Sequence, residues 1–177
     1  MGTILKTHSV KLISGVIASP TVLFSEVEKK LTKSFGPIDY ISRIIDFDCT
    51  DYYTAEMGND LKRRFFSFKK LIDPVKLSEI KLKTNKMELL FAKSTRARKR
   101  IVNIDPGYIN DAKLVLASTK DYNHRLYAAK GIYQEITLTF QSSSFRSFDW
   151  TYPDYRTDDY IAIFNHIREL FMNQRNI

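Results

Sequence analysis

The stretch VKLISGVIASPTVLFSEVEKKLTKSFGPIDYI, residues 10–41, sets the frame for the rest of the chain. Val10–Ala18 reads as a buried strand, apolar and β-branched with little polar interruption. Pro20 then opens a helix on which Leu23, Phe24, Val27, Leu31 and Phe35 recur at helical spacing. Gly36-Pro37 closes that helix, the glycine as C-cap and the proline as stop. Ile38–Asp48 follows as a second strand, rich in isoleucine.

Working outward, Lys62–Ile72 alternates as a strand with Arg64, Phe66 and Phe68 on one face. Asp73-Pro74 is a helix start, Asp capping and Pro at the first helical position. That helix carries Leu77, Ile80, Met87 and Phe91 on one side and ends near Lys93. Ile101–Asp105 is the next strand, with Val102 and Ile104 facing one way and Asn103 and Asp105 the other. The order β-α-β-β-α-β predicts a ferredoxin-like core. Lys113–Ser118 and a long strand within Arg125–Phe140 add an extra β-hairpin, and Gln141–Arg146 reads as a loop. A C-terminal helix of about 18 residues starts at Asp158, with Thr157 as cap. Its core stripe is Tyr160, Ile163, Phe164, Ile167, Leu170 and Phe171. The expected fold class is α+β, a single domain over residues 1–177 without internal repeats.

A chain of 177 residues buries enough surface to fold without disulfides or a structural metal. The lone Cys49 excludes an internal disulfide, reads as a small core residue, and fits a reducing compartment. No signal-peptide pattern opens the chain, and no apolar run approaches the roughly 20 residues of a membrane span. A cytoplasmic protein without a membrane partner is therefore expected. The formal charge of +8 favours polyanionic ligands, with clusters at Lys62–Arg64 and Arg96–Arg100. Either cluster is equally explained as a solvated surface.

Four polar groups stand out. Asn103-Ile104-Asp105-Pro106-Gly107-Tyr108 has Pro then Gly where a type II turn wants them. Asp105 and Tyr108 would then flank a tight turn, either as a site or as a structural hairpin with a capping Asp. Ser118–Arg125 brings Lys120, His124 and Arg125 together, able to neutralise a phosphate, with His124 as a candidate acid or base. Asp46 and Asp48 alternate onto one face of a strand end, a placement open to Mg²⁺ or Mn²⁺, or simply to water. Glu135 lies mid-strand, where a carboxylate needs a wet face or a partner. Asp154 and Tyr155 precede the last helix, and Trp150 reads as a core or lid residue. No phosphate-binding Gly-rich loop, dinucleotide fingerprint, zincin motif, nucleophile elbow or cysteine-pair zinc pattern occurs.

Taken in order, Phe35–Asp39, Thr50–Tyr53, Glu56–Gly58, Asn103–Tyr108, Ser118–Asp121, His124-Arg125 and Thr151–Tyr155 resemble a prokaryotic family catalogued as domain of unknown function 4416. The resemblance spans nearly the whole chain, and Asn-Ile-Asp-Pro-Gly-Tyr is its hallmark. It implies no activity. It does imply that these segments form one pattern, which favours a functional Asn103–Tyr108.

The residues themselves predict a binding module for a phosphorylated small molecule or nucleotide. Lys120, His124 and Arg125 would meet the anion. Asp105 with Asp46 or Asp48 would hold a divalent ion or a hydroxyl, and Asn103, Tyr108, Asp154 and Tyr155 would complete the pocket. If the protein is an enzyme, Asp105, His124 and Glu135 are the catalytic candidates. The alternatives are an RNA-binding protein using the Arg96–Arg100 stretch, a metal-dependent hydrolase or phosphotransferase, and a protein-interaction scaffold.

Overall fold

A computed structural model describes residues 2–4, 7–20, 22–94 and 99–175. Its first strand, β1 (Lys11–Ala18), is buried along its whole length because it becomes the centre of a sheet. Helix α1 (Phe24–Phe35) follows, starting four residues after Pro20 rather than at it. Gly36, at φ 96°, ends α1 and donates its N–H to the Thr32 carbonyl, the left-handed closure expected of a glycine there.

The expected strand Ile38–Asp48 is broken into β2 (Ile38–Ile41) and β3 (Ile45–Asp46). Between them Ser42 adds a side-chain bond to a backbone one: its N–H donates to the Phe65 carbonyl and its Oγ accepts the Phe65 N–H, both at 2.9 Å. A short helix α2 (Thr54–Met57) leads to β4 (Lys62–Phe68), which stops before Ile72; Ile72 makes only an isolated bridge to Val10. Asp73 caps the next helical segment as expected, its carboxylate accepting the Val75 N–H at 3.1 Å. Helix α3 (Leu77–Ser94) then runs back across the sheet to β5 (Val102–Ile109).

Two corrections concern the second half. Pro106-Gly107 is no turn: both lie inside β5, opposite Ser14 and Ile13 of β1, and Gly107 is not among the glycines with positive φ. The glycine is needed for a different reason. A Cβ on Gly107 would sit 2.4 Å from the Val115 carbonyl oxygen of the next strand, β6 (Lys113–Ser118). The long strand expected within Arg125–Phe140 is β8 (Ile132–Gln141), preceded by a short β7 (Leu126–Ala129) that turns into it at Lys130-Gly131. The expected loop Gln141–Arg146 instead contains a two-residue turn, Ser142-Ser143, both left-handed, feeding β9 (Ser144–Ser147).

Nine strands among the described residues make one sheet, in the order β2-β4-β1-β5-β6-β8-β7, with β3 also on β4 and β9 also on β8. Every pairing is antiparallel. Helices α1 and α3 cover one face, burying Leu12, Val16, Phe66, Phe68, Val102 and Ile104. Helix α4 (Asp158–Arg175) covers the other through Phe164 and Ile167, over Ile13, Phe65 and Leu138. This is a mixed α+β architecture closed by a C-terminal helix.

Strands β5 and β6 pair only at Gly107, Tyr108 and Ile109. Continuing that register would set Pro106 against Ala117 and Asp105 against Ser118, but the strands part instead. The Ile104 N–H donates to Glu88 and its carbonyl accepts from Lys81, both on α3, so Ile104 turns these groups away from β1. Alternation puts the backbone nitrogen of Pro106 on that same side, where it has no hydrogen to give. The ladder stops at the proline, and a cleft opens through the sheet.

Candidate functional site

The cleft encloses about 660 Å³ and takes side chains from both faces of the sheet. From α3 come Lys81, Asn85 and Glu88, spaced so that they share one helix face. From β5 come Asn103 and Asp105, and from the β6–β7 loop come Lys120, His124 and Arg125. Arg63 of β4 with Asp154 and Tyr155 adds a further wall, and Tyr52 and Tyr53 also line the cleft.

Arg63 is buried in that wall, 3% exposed. Gly15 makes room for it, since a Cβ there would lie 2.9 Å from an Arg63 terminal nitrogen. Its guanidinium donates to Asp154 at 3.1 Å and to the Tyr155 hydroxyl at 3.3 Å, and lies over the rings of Phe47 and Phe65. Burial raises the Asp154 carboxyl, and Arg63 opposes that rise.

Asp105 occupies the middle. Lys81 Nζ donates to one carboxylate oxygen at 3.3 Å and Asn103 Nδ2 to the other at 2.7 Å. Asn103 is held in turn by Arg100, which also pairs with Glu56. The charge of Asp105 is felt by Tyr53, Arg63, Glu88, Tyr152, Asp154 and Tyr155.

The third group is built on Glu135. Its side chain is 1% exposed and receives Arg125 Nε at 2.6 Å, with His124 Nε2 at 3.1 Å. Arg125 also donates to Ser118 Oγ, the Lys120 carbonyl and the Tyr152 hydroxyl, so it ties the β6–β7 loop to the segment before α4. Glu135 can therefore act on a ligand only through its neighbours. Lys120 reaches across the cleft to the Tyr52 hydroxyl, its ammonium 4.1 Å from the centre of that ring. His124 lies between Tyr122 and Trp150 in a near-parallel series of rings that continues to Phe148.

Of the residues nominated from sequence, Asn103, Asp105, Lys120, His124, Arg125, Glu135, Asp154 and Tyr155 meet in this one cleft. Tyr108 does not: it packs half-buried with Leu77, Val115 and Ile132. Asp46 and Asp48 lie outside the lining, both exposed, and Lys62 holds the Asp46 carboxyl below its ordinary range. Among the described residues no group of three or more His, Cys, Asp or Glu is placed to hold a metal. Cys49, expected in the core, is exposed at the cleft. In the Arg96–Arg100 stretch, Arg96 and Arg98 lie outside the described residues, and Arg100 faces the cleft.

The model of the family described as Domain of unknown function (DUF4416) matches residues 8–171. This chain belongs to that family. No curated protein and no solved structure matches it. The matched span covers every residue placed above in the DUF4416 cleft. Among the described residues, no helix is long and apolar enough to cross a membrane.

Sequence reasoning passed over Arg63, Lys81 and Glu88 as site residues. Each carried a signal: a charge set on a face otherwise apolar, Arg63 beside Phe65 in alternation, and Lys81 and Glu88 within the buried stripe of α3. Glu88 also makes stability depend on pH. Burial pushes its carboxyl up to about 7 from an ordinary 4.5, against the pull of Lys81 and the Ile104 N–H. Between those values the folded protein keeps a proton that the unfolded chain has released, so stability falls as pH rises through the window. Glu88→Gln keeps an acceptor for Ile104 and removes the titration. Urea unfolding at pH 8 is expected to show the variant more stable than the parent by on the order of 2 kcal/mol, with the gap closing at pH 4. Parallel curves across that range would remove Glu88 as the cause.

Proposed function

We propose that this chain binds a phosphorylated small molecule or nucleotide in the cleft, with Lys120 contacting the anion. The observation that carries this reading is a difference in charge pairing. Arg63, Lys81, Arg100 and Arg125 each face a carboxylate. Lys120 pairs with no carboxylate among the described residues, only with the Tyr52 hydroxyl and ring. An anion entering here would gain a charge-assisted contact without displacing an ion pair. Arg125, at 2% side-chain exposure, supports it by fixing the loop that carries Lys120. Tyrosine faces and convergent polar groups around a volume of this size suit a compact ligand. A Mg²⁺ or Mn²⁺ ion fits this reading as a companion of the ligand's phosphate, since Asp46 and Asp48 stand away from the cleft.

We also read β1-α1-β2-β4-α3-β5 as a ferredoxin-like unit, on the strength of the order β2-β4-β1-β5 and its antiparallel pairings. That fold hosts many unrelated functions and supports no ligand by itself. RNA binding is the second reading, favoured by the ring series Tyr122, His124, Trp150, Phe148, of which Tyr122 and Trp150 are exposed.

Thermal unfolding against nucleotides, sugar phosphates and short RNAs, with and without Mg²⁺ and Mn²⁺, tests the proposal. A ligand at a hundred times its dissociation constant adds roughly 2.7 kcal/mol, or about 5–11 °C for a domain of this size. Such a shift from a phosphorylated compound, lost in Lys120→Ala, is the expected outcome. A shift from RNA alone, falling steeply with salt, would transfer the cleft to the second reading. No shift from any of them would sink both.

A further inference from the structure

Resting on the reading of Lys120 as the anion contact, we infer that the ligand also carries neutral hydroxyl groups that donate to Asp105, making it a hydroxylated phosphate ester of the sugar phosphate or nucleotide class. Asp105 is a preset acceptor. Lys81 and Asn103 fix both of its oxygens from the protein side, at 3.3 and 2.7 Å. An ionised carboxylate has about four lone-pair positions, so each oxygen keeps one for a ligand. The side chain remains 27% exposed because the strands part at Pro106 and β6 does not cover it.

The class of donor follows from the charges around it. Lys81 touches Asp105 directly, Arg63 feels its charge, and Arg100 holds the Asn103 that orients it. A cationic donor such as an amine or guanidinium would enter against Lys81, which already sits on Asp105, while Arg63 and Arg100 are offset by Asp154 and Glu56. A hydroxyl brings a hydrogen without a charge and meets no such repulsion. The nearby phenols favour the same partner. Tyr53 and Tyr152 line the same cleft, and their phenols, neutral near pH 7 as tyrosines are, offer O–H groups to a polyol. Lys120 and Tyr52 line the same cleft without contacting Asp105, so phosphate and hydroxyls would be held by separate groups.

Isothermal titration of the full chain with ribose 5-phosphate, methyl phosphate and adenosine monophosphate separates the two claims. Ribose 5-phosphate is expected to bind at least about tenfold tighter than methyl phosphate, a difference of about 1.4 kcal/mol. Asp105→Asn should erase that preference without weakening methyl phosphate. Equal binding of the two phosphates by the parent protein overturns the hydroxyl inference and leaves the anion site standing. Binding of none of the three compounds overturns the anion site and the inference with it. Because the comparison of ligands is made on the parent chain, it stands even if Asp105→Asn fails to fold. Tighter binding of adenosine monophosphate than of ribose 5-phosphate supports the inference with a nucleotide as the source of the hydroxyls; weaker binding supports it with a free sugar phosphate.

Discussion

Gly107→Ala should lower the midpoint of thermal unfolding by about 6–12 °C, the counterpart of about 3 kcal/mol in a domain of this size. The added Cβ would meet the Val115 carbonyl oxygen at 2.4 Å and Leu116 Cδ2 at 2.7 Å. The first is backbone in a paired strand and cannot swing aside. Strands β5 and β6 are joined at only Gly107, Tyr108 and Ile109, so pushing them apart there removes the hinge side of the cleft. Loss of phosphate-ligand stabilisation should accompany the loss of fold stability. A midpoint within about 2 °C of the parent, an interval worth no more than about 1 kcal/mol, would show that the strands can part without penalty and would undo this account of the glycine.

Glu135→Ala should cost about 3–5 kcal/mol in urea unfolding, because it leaves Arg125 buried without its carboxylate. The two side chains are 2% and 1% exposed, and their hydrogen bond is 2.6 Å. The Thr137 hydroxyl also loses its acceptor. The double variant Arg125→Met, Glu135→Leu should recover much of that loss, since both charges leave together. It should not recover ligand binding, because Arg125 no longer holds the Lys120 carbonyl and Tyr152. If the single variant loses less than about 1 kcal/mol, an amount typical of exposed pairs, Glu135 is not the buried anchor described here. If the double variant binds phosphate ligands normally, Arg125 does not position Lys120.

The local content of the chain was readable because it is encoded by neighbours in sequence. Gly36-Pro37 stopped α1 and Asp73-Pro74 started the segment leading into α3, each through backbone chemistry confined to a few residues. The two-residue period separated Val102 and Ile104 from Asn103 and Asp105, and these pairs do face the core and the cleft respectively. Charges at apolar positions, Arg63, Lys81 and Glu88, were visible too, although only a structure gives them partners.

Pro106-Gly107 shows where local reading ends. A type II turn and a close strand contact both require glycine, and a turn and a ladder end both accept proline, so the dipeptide alone cannot choose between them. The register with Ser14 and Ile13 on one side, and the approach of Val115 on the other, made the choice. Ser142-Ser143 hid its hairpin for a related reason: neither residue favours the left-handed region by itself, and pairing of β8 with β9 imposes it. By itself the sequence determined the family, the buried first strand, the end of α1 at Gly36, the start of α4 at Asp158 and the polar residues available for a site. Only the tertiary structure decided which of them meet. Convergence of Lys81, Asp105, Lys120 and Glu135 depends on long-range antiparallel pairing and on a sheet that stops pairing at one proline.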